Sequence, residues 1–263
     1  MSIKVSVLAS GSSGNSILVS TDDRTILIDA GLSGKKIIER LKKCGIKENL
    51  LDAILVTHEH SDHIKGVGIL SRKLDIPIYA NELTWKESES CLGEIKKKNQ
   101  KIFKNEFMIG NLGIIPFNIS HDAEDPVGYL INYNDKKIGI ATDMGYVTRK
   151  VKSRLKGLDF LILEANHDLE MLMTGSYPYY LKQRIKGDKG HLSNDATADL
   201  IPDLIGNKSL HILLAHLSKD NNRKELAYIT IKNILEDQNL EIGKDLYLDF
   251  AYREKPTPVY EIS

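Results

Sequence analysis

At 263 residues the chain is long enough for one large α/β domain or two small ones. Its 41% hydrophobic and 27% charged content excludes a disordered or fibrous chain, and 36 basic residues set against 36 acidic ones exclude a global nucleic-acid-binding charge. No apolar run reaches membrane-spanning length, the N-terminal one breaks too early for a signal peptide, and the two distant cysteines, Cys44 and Cys91, suit reduced thiols in the cytoplasm.

The elements follow in chain order. Residues 3–8 and 16–20 read as strands joined by a Gly/Ser loop from Ala9 to Gly14, which is no P-loop because no Gly-Lys-Ser/Thr follows. A strand at 25–28 ends at Asp29-Ala-Gly31, and an amphipathic helix runs from about Ser33 to Lys43. A buried strand at 53–56 feeds the segment Thr57 to His63, after which a helix runs to about Leu74. Next come a strand at 77–79, a helical stretch to about Leu92 containing Trp85, and strand-like runs at 101–103, 107–119, 127–133 and 137–141. The strand at 160–163 leads to Glu164 and His167, and an irregular, tyrosine-rich basic stretch follows. Gly190-His191 opens a helix to about Leu204, a strand at 212–214 ends at His216, and a last helix spans about Arg223 to Glu236. Without a repeat or linker to divide it, the chain reads as one domain, 1–263.

The segment Thr57 to His63 (THEHSDH) has the pattern His-x-His-x-Asp-His. Imidazole with carboxylate suits zinc, manganese or iron rather than calcium. His58 and His60 lie two apart in extended chain and point the same way. Asp62 and His63 diverge and can serve a second ion, and two-metal hydrolytic sites hold their ions about 3.5–4 Å apart. An Asp62 that merely caps the next helix accounts for one residue of the four. His121, Asp143, His191 and His216 each follow a strand or sit at a loop-to-helix junction, the position where α/β folds gather ligands. His167 reads equally well as a residue closing its strand.

Taken together, Asp29, the motif at 58–63, His121, Asp143 and His216 resemble the five motifs of the metallo-β-lactamase superfamily. The resemblance implies an α/β fold, a four-layer αββα sandwich with the site along one edge. It implies two divalent ions, Zn²⁺ or Mn²⁺ with iron also accommodated. His58, His60 and His121 would hold one, Asp62, His63 and His216 the other, and Asp143 would bridge them. Asp29 would then fix the histidine loop, although an acid in an Asp-Ala-Gly turn reads as well. Histidine at both 58 and 60 is the superfamily's hydrolase pattern. His191, 25 residues before His216, matches the proton donor of its phosphodiesterase members, with Asp195 one turn on as its hydrogen-bond partner.

A narrower resemblance joins residues 10–16 (SGSSGNS), 120–129, 142–147, 164–168, 174–194 and 214–218 to the YycJ/WalJ-type family, which is linked to 5′→3′ exonuclease activity on double-stranded DNA. The interval from Asp143 to His216 is too short for the extra domain of the β-CASP nucleases, so only 165–190 can supply substrate contacts there. In it Tyr177, Tyr179 and Tyr180 interleave with Lys182, Arg184, Lys186 and Lys189, cations for phosphates and rings for bases. A tyrosine-rich loop packed on the core under a solvated basic helix is the competing reading. The expectation is a metal-dependent phosphodiesterase acting on nucleic acid, DNA in the first place, with Asp62 and His191 catalytic. The alternatives are a small-molecule hydrolase of the same superfamily, for cyclic phosphodiesters, thioesters or lactones, and a non-catalytic metal-binding module.

Overall fold

The computed structural model describes residues 2–263. Its first sheet is built from β1 (Ile3–Ala9), β2 (Ser16–Ser20), β3 (Thr25–Ile28), β4 (Ala53–Leu55), β5 (Ile78–Ala80) and β6 (Gln100–Ile102). The second holds β7 (Phe107–Ile109), β8 (Leu112–Asn118), β9 (Val127–Tyr133), β10 (Lys136–Ala141), β11 (Phe160–Glu164), β12 (Leu210–Ala215) and β13 (Leu246–Phe250). A last strand, β14 (Tyr260–Ile262), returns to the first sheet and pairs antiparallel with β1. The strand orders are β14-β1-β2-β3-β4-β5-β6 and β13-β12-β11-β10-β9-β8-β7.

Alternation along the strands builds the layers. Ile3, Val5 and Val7 face Ile114, Ile131 and Ile138 between the sheets. The opposite face of the first sheet, with Leu8, Leu27 and Ile54, packs on α1 (Gly34–Lys43), α3 (Val67–Leu74) and α4 (Glu82–Leu92). The outer face of the second, with Leu161, Leu163 and Ile212, is covered by α5 (Arg149–Leu155), α8 (Asn194–Leu204) and α9 (Lys224–Asp237). This is the four-layer αββα sandwich expected from the sequence, and each fully buried Ile, Leu or Val contributes roughly 1.5–3 kcal/mol of transfer free energy.

Four local readings change. The helix expected from His63 to Leu74 is two pieces, α2 (Ser61–Ile64) and α3, because Gly66 N–H donates to Ala30 O at 2.7 Å instead of continuing the helix. The run 107–119 is a hairpin, β7 and β8, turning at Gly110-Asn111. The stretch read as irregular contains α6 (Leu169–Thr174) and α7 (Tyr179–Lys186). The helix expected to open at Gly190-His191 starts at Asn194, where the Ser193 hydroxyl caps Ala196 N–H at 3.1 Å, so His191 lies outside the helix and ahead of it.

Strand direction places the site. β3, β4, β5 and β6 are mutually parallel, as are β10, β11, β12 and β13. β1 is two antiparallel steps from β3, and β8 two such steps from β10, so both point the same way as those strands. The chain that leaves β1, β3, β4, β8, β10, β11 and β12 therefore emerges at one edge of its sheet. Those exits carry Ser10, Asp29, His58, His121, Asp143, Glu164 and His216.

Candidate metal centre

Three residues turn sharply at these exits. Asp29, Asp143 and His216 have φ of 59°, 61° and 55°, a left-handed conformation that Asp and His tolerate better than bulky residues and that clusters at functional sites. Gly31 lets the β3 exit pass under the histidine loop, since a Cβ there would lie 1.6 Å from Asp62 O. The β3 exit is tied to the histidine segment by Ala30 N–H to His63 O at 2.8 Å, and the Gly/Ser loop after β1 by Asn15 N–H to Asp62 O at 2.7 Å.

Each buried histidine of the cluster uses one ring nitrogen to anchor itself. His58 Nδ1 meets Thr57 Oγ1 at 2.9 Å, His121 Nδ1 meets Gly190 O at 3.2 Å, and His63 Nδ1 meets Asp29 Oδ2 at 2.7 Å. His216 Nδ1 meets Glu164 Oε1 at 3.0 Å. Asp29 also takes Thr57 N–H and Thr57 Oγ1–H, both at 2.8 Å, so one carboxylate fixes the β4 exit and His63 together. This is the anchoring that metal-binding imidazoles require.

The other nitrogens converge. His58, His60 and His121 form one group of ligand atoms within 4.8 Å of one another, Asp62, His63 and His216 a second, and His58, His63 and Asp143 a third that joins them. His58 Nε2, Asp143 Oδ2 and His216 Nε2 are buried without a hydrogen-bond partner. Buried polar atoms left unpaired cost about 1–3 kcal/mol each. Orphaned atoms in a His/Asp donor set fit divalent transition metals.

Electrostatics agree. Burial holds the His58 imidazole well below its usual range, and His63 and His121 beside it add to that. Burial also opposes the proton on His63, but Asp29 and Asp143 outweigh it and push His63 up to about 9. His216 is raised likewise, its burial overcome by Asp143, Asp62 and Glu164. The neighbouring carboxylates thus favour the charged form of His63 and His216, and a divalent ion held there would supply that positive charge in place of the protons.

His191 stands on the same cavity, of about 260 Å³, which is also lined by His60, Asp62, His121, Asp143 and His216. Its Nδ1 meets Glu164 Oε1 at 2.7 Å. Glu164 is fully buried and also accepts from Met144 N–H at 2.8 Å and Leu192 N–H at 3.3 Å. Burial would raise its pKa, but His191 and His216 hold the carboxyl well below the usual carboxylate range.

A family model described as a β-lactamase superfamily domain matches residues 24–213. The chain belongs to the metallo-β-lactamase superfamily. Within the superfamily it is 42% identical over 261 residues to Exodeoxyribonuclease YycJ of Bacillus anthracis, covering 98% of this chain and 99% of that protein. It is 44% identical over 263 residues to Exodeoxyribonuclease WalJ of Streptococcus pneumoniae, covering 98% of each. These are the YycJ/WalJ relatives to which the sequence motifs pointed. The crystal structure of the metallo-β-lactamase fold protein YhfI from Bacillus subtilis superposes with a TM-score of 0.72 at 16% identity, covering 100% of both chains, a likeness of fold.

Against that superfamily frame, the seven expected metal ligands lie in one cluster, with Asp29 behind them. Asp195 is a correction. His191 lies outside α8, and its Nδ1 bonds Glu164, so no hydrogen bond joins it to Asp195 in the first turn of that helix. Glu164 is the residue that sequence reasoning missed, although an acid closing the wholly buried strand FLILE was a signal. Asp122 was missed too: its Oδ1 lies 3.3 Å from His121 Nε2 and 3.9 Å from His60 Nε2, and Oδ2 accepts from Arg184 Nε at 2.6 Å. Of the expected substrate contacts, Tyr177 and Arg184 line the cavity. Tyr179, Tyr180, Lys182 and Lys189 do not line it. Lys182 Nζ is tied to Met173 O at 2.8 Å. Tyr179 and Tyr180 are 72% and 74% exposed on α7, a helix with no buried residue, so they do not pack on the core.

Proposed function

We propose that this chain is a single-domain, dinuclear-metal phosphodiesterase, a 5′→3′ exonuclease on double-stranded DNA working in the cytoplasm. The observation that carries the reading is an anchored imidazole, His191 on Glu164, sharing one cavity with two converging sets of metal-ligating atoms. The names of its relatives, both exodeoxyribonucleases, support DNA as the substrate. Free cysteines, and the absence among the described residues of any helix long and apolar enough to cross a membrane, are compatible with that setting.

His58, His60 and His121 would hold one ion, Asp62, His63 and His216 the second, and Asp143 would bridge. When bound, such a pair polarises the phosphoryl oxygens and lowers the pKa of a water. Asp62, half-buried on the cavity wall, orients the attacking water toward phosphorus. As the P–O bond to the leaving group breaks, His191 donates a proton from Nε2 to the departing oxygen, and the Glu164 carboxylate on Nδ1 stabilises the imidazolium that makes this donation possible. Arg184 and Tyr177 line the approach, and the exposed Tyr179 and Tyr180 offer faces on which bases stack. That surface favours a strand over a small ester.

The test sets purified protein with Mn²⁺ or Zn²⁺ against duplex DNA and RNA labelled at either end, wild type beside Asp62→Ala. Wild type shortens DNA from the 5′ end and Asp62→Ala slows it by about a hundredfold or more. Rapid thioester or lactone turnover, with no salt-sensitive DNA binding, would favour the small-molecule alternative.

A further inference from the structure

The Gly/Ser loop after β1 holds more than a turn. Gly11 has φ of 118°, and a Cβ there would lie 2.8 Å from Arg253 Nη2, so the Arg253 guanidinium lies against bare loop backbone. Arg253 arrives from the segment between β13 and β14, and its own carbonyl is held by Arg40 Nη1 at 3.0 Å. Its Nη1 donates to Ser13 Oγ at 3.2 Å and its Nη2 to Leu217 O at 2.9 Å. Two of its five N–H groups are thereby used and three have no partner among the described residues.

Both partners are neutral oxygens. Among the described residues no carboxylate pairs with Arg253, whereas Arg184, the cation lining the cavity, is already paired with Asp122. Ser12 and Ser218, the chain neighbours of Ser13 and Leu217, line that same cavity beside His216. A half-buried guanidinium held on neutral oxygens of Ser13 and Leu217, whose chain neighbours Ser12 and Ser218 line the cavity, has the chemistry of an anion site.

We propose that Arg253, with Ser12, Ser13 and Ser218, forms a phosphate subsite that takes the strand phosphate next to the scissile one. The proposal rests on the nuclease reading and deepens it, because an enzyme that works from a terminus gains from a contact beside the reacting bond that senses the end. The ligand is either the terminal phosphomonoester of the strand or the neighbouring internal phosphodiester.

Inorganic phosphate titrated into metal-free, ¹⁵N-labelled protein is expected to shift one arginine Nε–H resonance, the one missing from Arg253→Gln. Binding of metal-free protein to short duplexes ending in 5′-phosphate or 5′-hydroxyl is then measured by anisotropy at fixed salt. Arg253→Gln is expected to weaken binding about tenfold or more, and Arg253→Lys, which keeps charge but not the fork, by less. Loss confined to the 5′-phosphate duplex identifies the terminal phosphomonoester, and equal loss on both identifies the internal diester. Variants that bind both duplexes as wild type does, or a phosphate titration that moves no arginine resonance, overturn the subsite. Wild type that cuts no DNA removes the nuclease reading instead, and the phosphate titration, which needs no activity, still decides the subsite.

Discussion

Glu164→Gln is the substitution on which the reasoning about this site bears most directly. One buried carboxylate receives four donors: His191 Nδ1 at 2.7 Å and His216 Nδ1 at 3.0 Å on Oε1, Met144 N–H at 2.8 Å and Leu192 N–H at 3.3 Å on Oε2. An amide of the same shape keeps only one acceptor. If its oxygen faces the imidazoles, its NH₂ opposes two backbone N–H groups, at a cost of roughly 2–6 kcal/mol for two unsatisfied buried donors. If its NH₂ faces the imidazoles, both rings must move their proton to Nε2, and on His216 that is the nitrogen left free for metal. Either the fold or the second metal position is therefore weakened, and metal affinity is expected to fall about 10–100-fold by loss of an anchoring carboxylate. Turnover at saturating metal is expected to fall about 10²–10⁴-fold as His191 loses the charge that supports its imidazolium. The measurements are metal content after dialysis, kcat on end-labelled DNA and the urea midpoint. Asp195→Asn serves as the contrast and should behave as wild type. Glu164→Gln with unchanged kcat and metal affinity would refute this account of the site.

Three other outcomes follow from the geometry. His167 is 1% exposed with neither ring nitrogen hydrogen-bonded, and burial pushes its imidazole down to about 4 from an ordinary 6.5. The unfolded chain takes the proton first, so this contribution to stability is intact above pH 6.5 and is lost as pH falls towards 4, by up to roughly 3 kcal/mol. Urea unfolding of metal-free protein at pH 7.5 and 5 should show a smaller pH effect in His167→Leu than in wild type, and equal effects would be contrary to it. Tyr179→Ala with Tyr180→Ala should leave the melting temperature in place, as both rings are exposed, and cost about 1–3 kcal/mol of single-strand binding per stacked base, read by anisotropy. Chelation should lower the melting temperature, and Mn²⁺ or Zn²⁺ at a hundred times its Kd should restore about 2.7 kcal/mol, seen by calorimetry. Identical scans with and without metal would count against the ion sites.

The sequence by itself determined the donor set of the candidate site. His58, His60, Asp62 and His63 lie within one six-residue segment, so their identity and spacing declare ligand chemistry without knowledge of the fold. His121, Asp143 and His216 were legible because each ends a strand, and strands could be read from buried apolar runs. Partnerships between distant segments were not legible. Asp195 was expected beneath His191 on the premise of a shared helix, but Ser193 caps that helix and leaves His191 outside it. Glu164, 27 positions before His191, reaches it only because β11 and the segment ahead of α8 exit at one edge. Nor could β14 be placed, since Ile262 pairs with Ile3 across almost the whole chain. Local chemistry is written in neighbouring residues. Which carboxylate supports which imidazole, and how Arg253 comes to lie on the loop at Gly11, follow from strand order and direction, and these are settled by burying two sheet faces against each other.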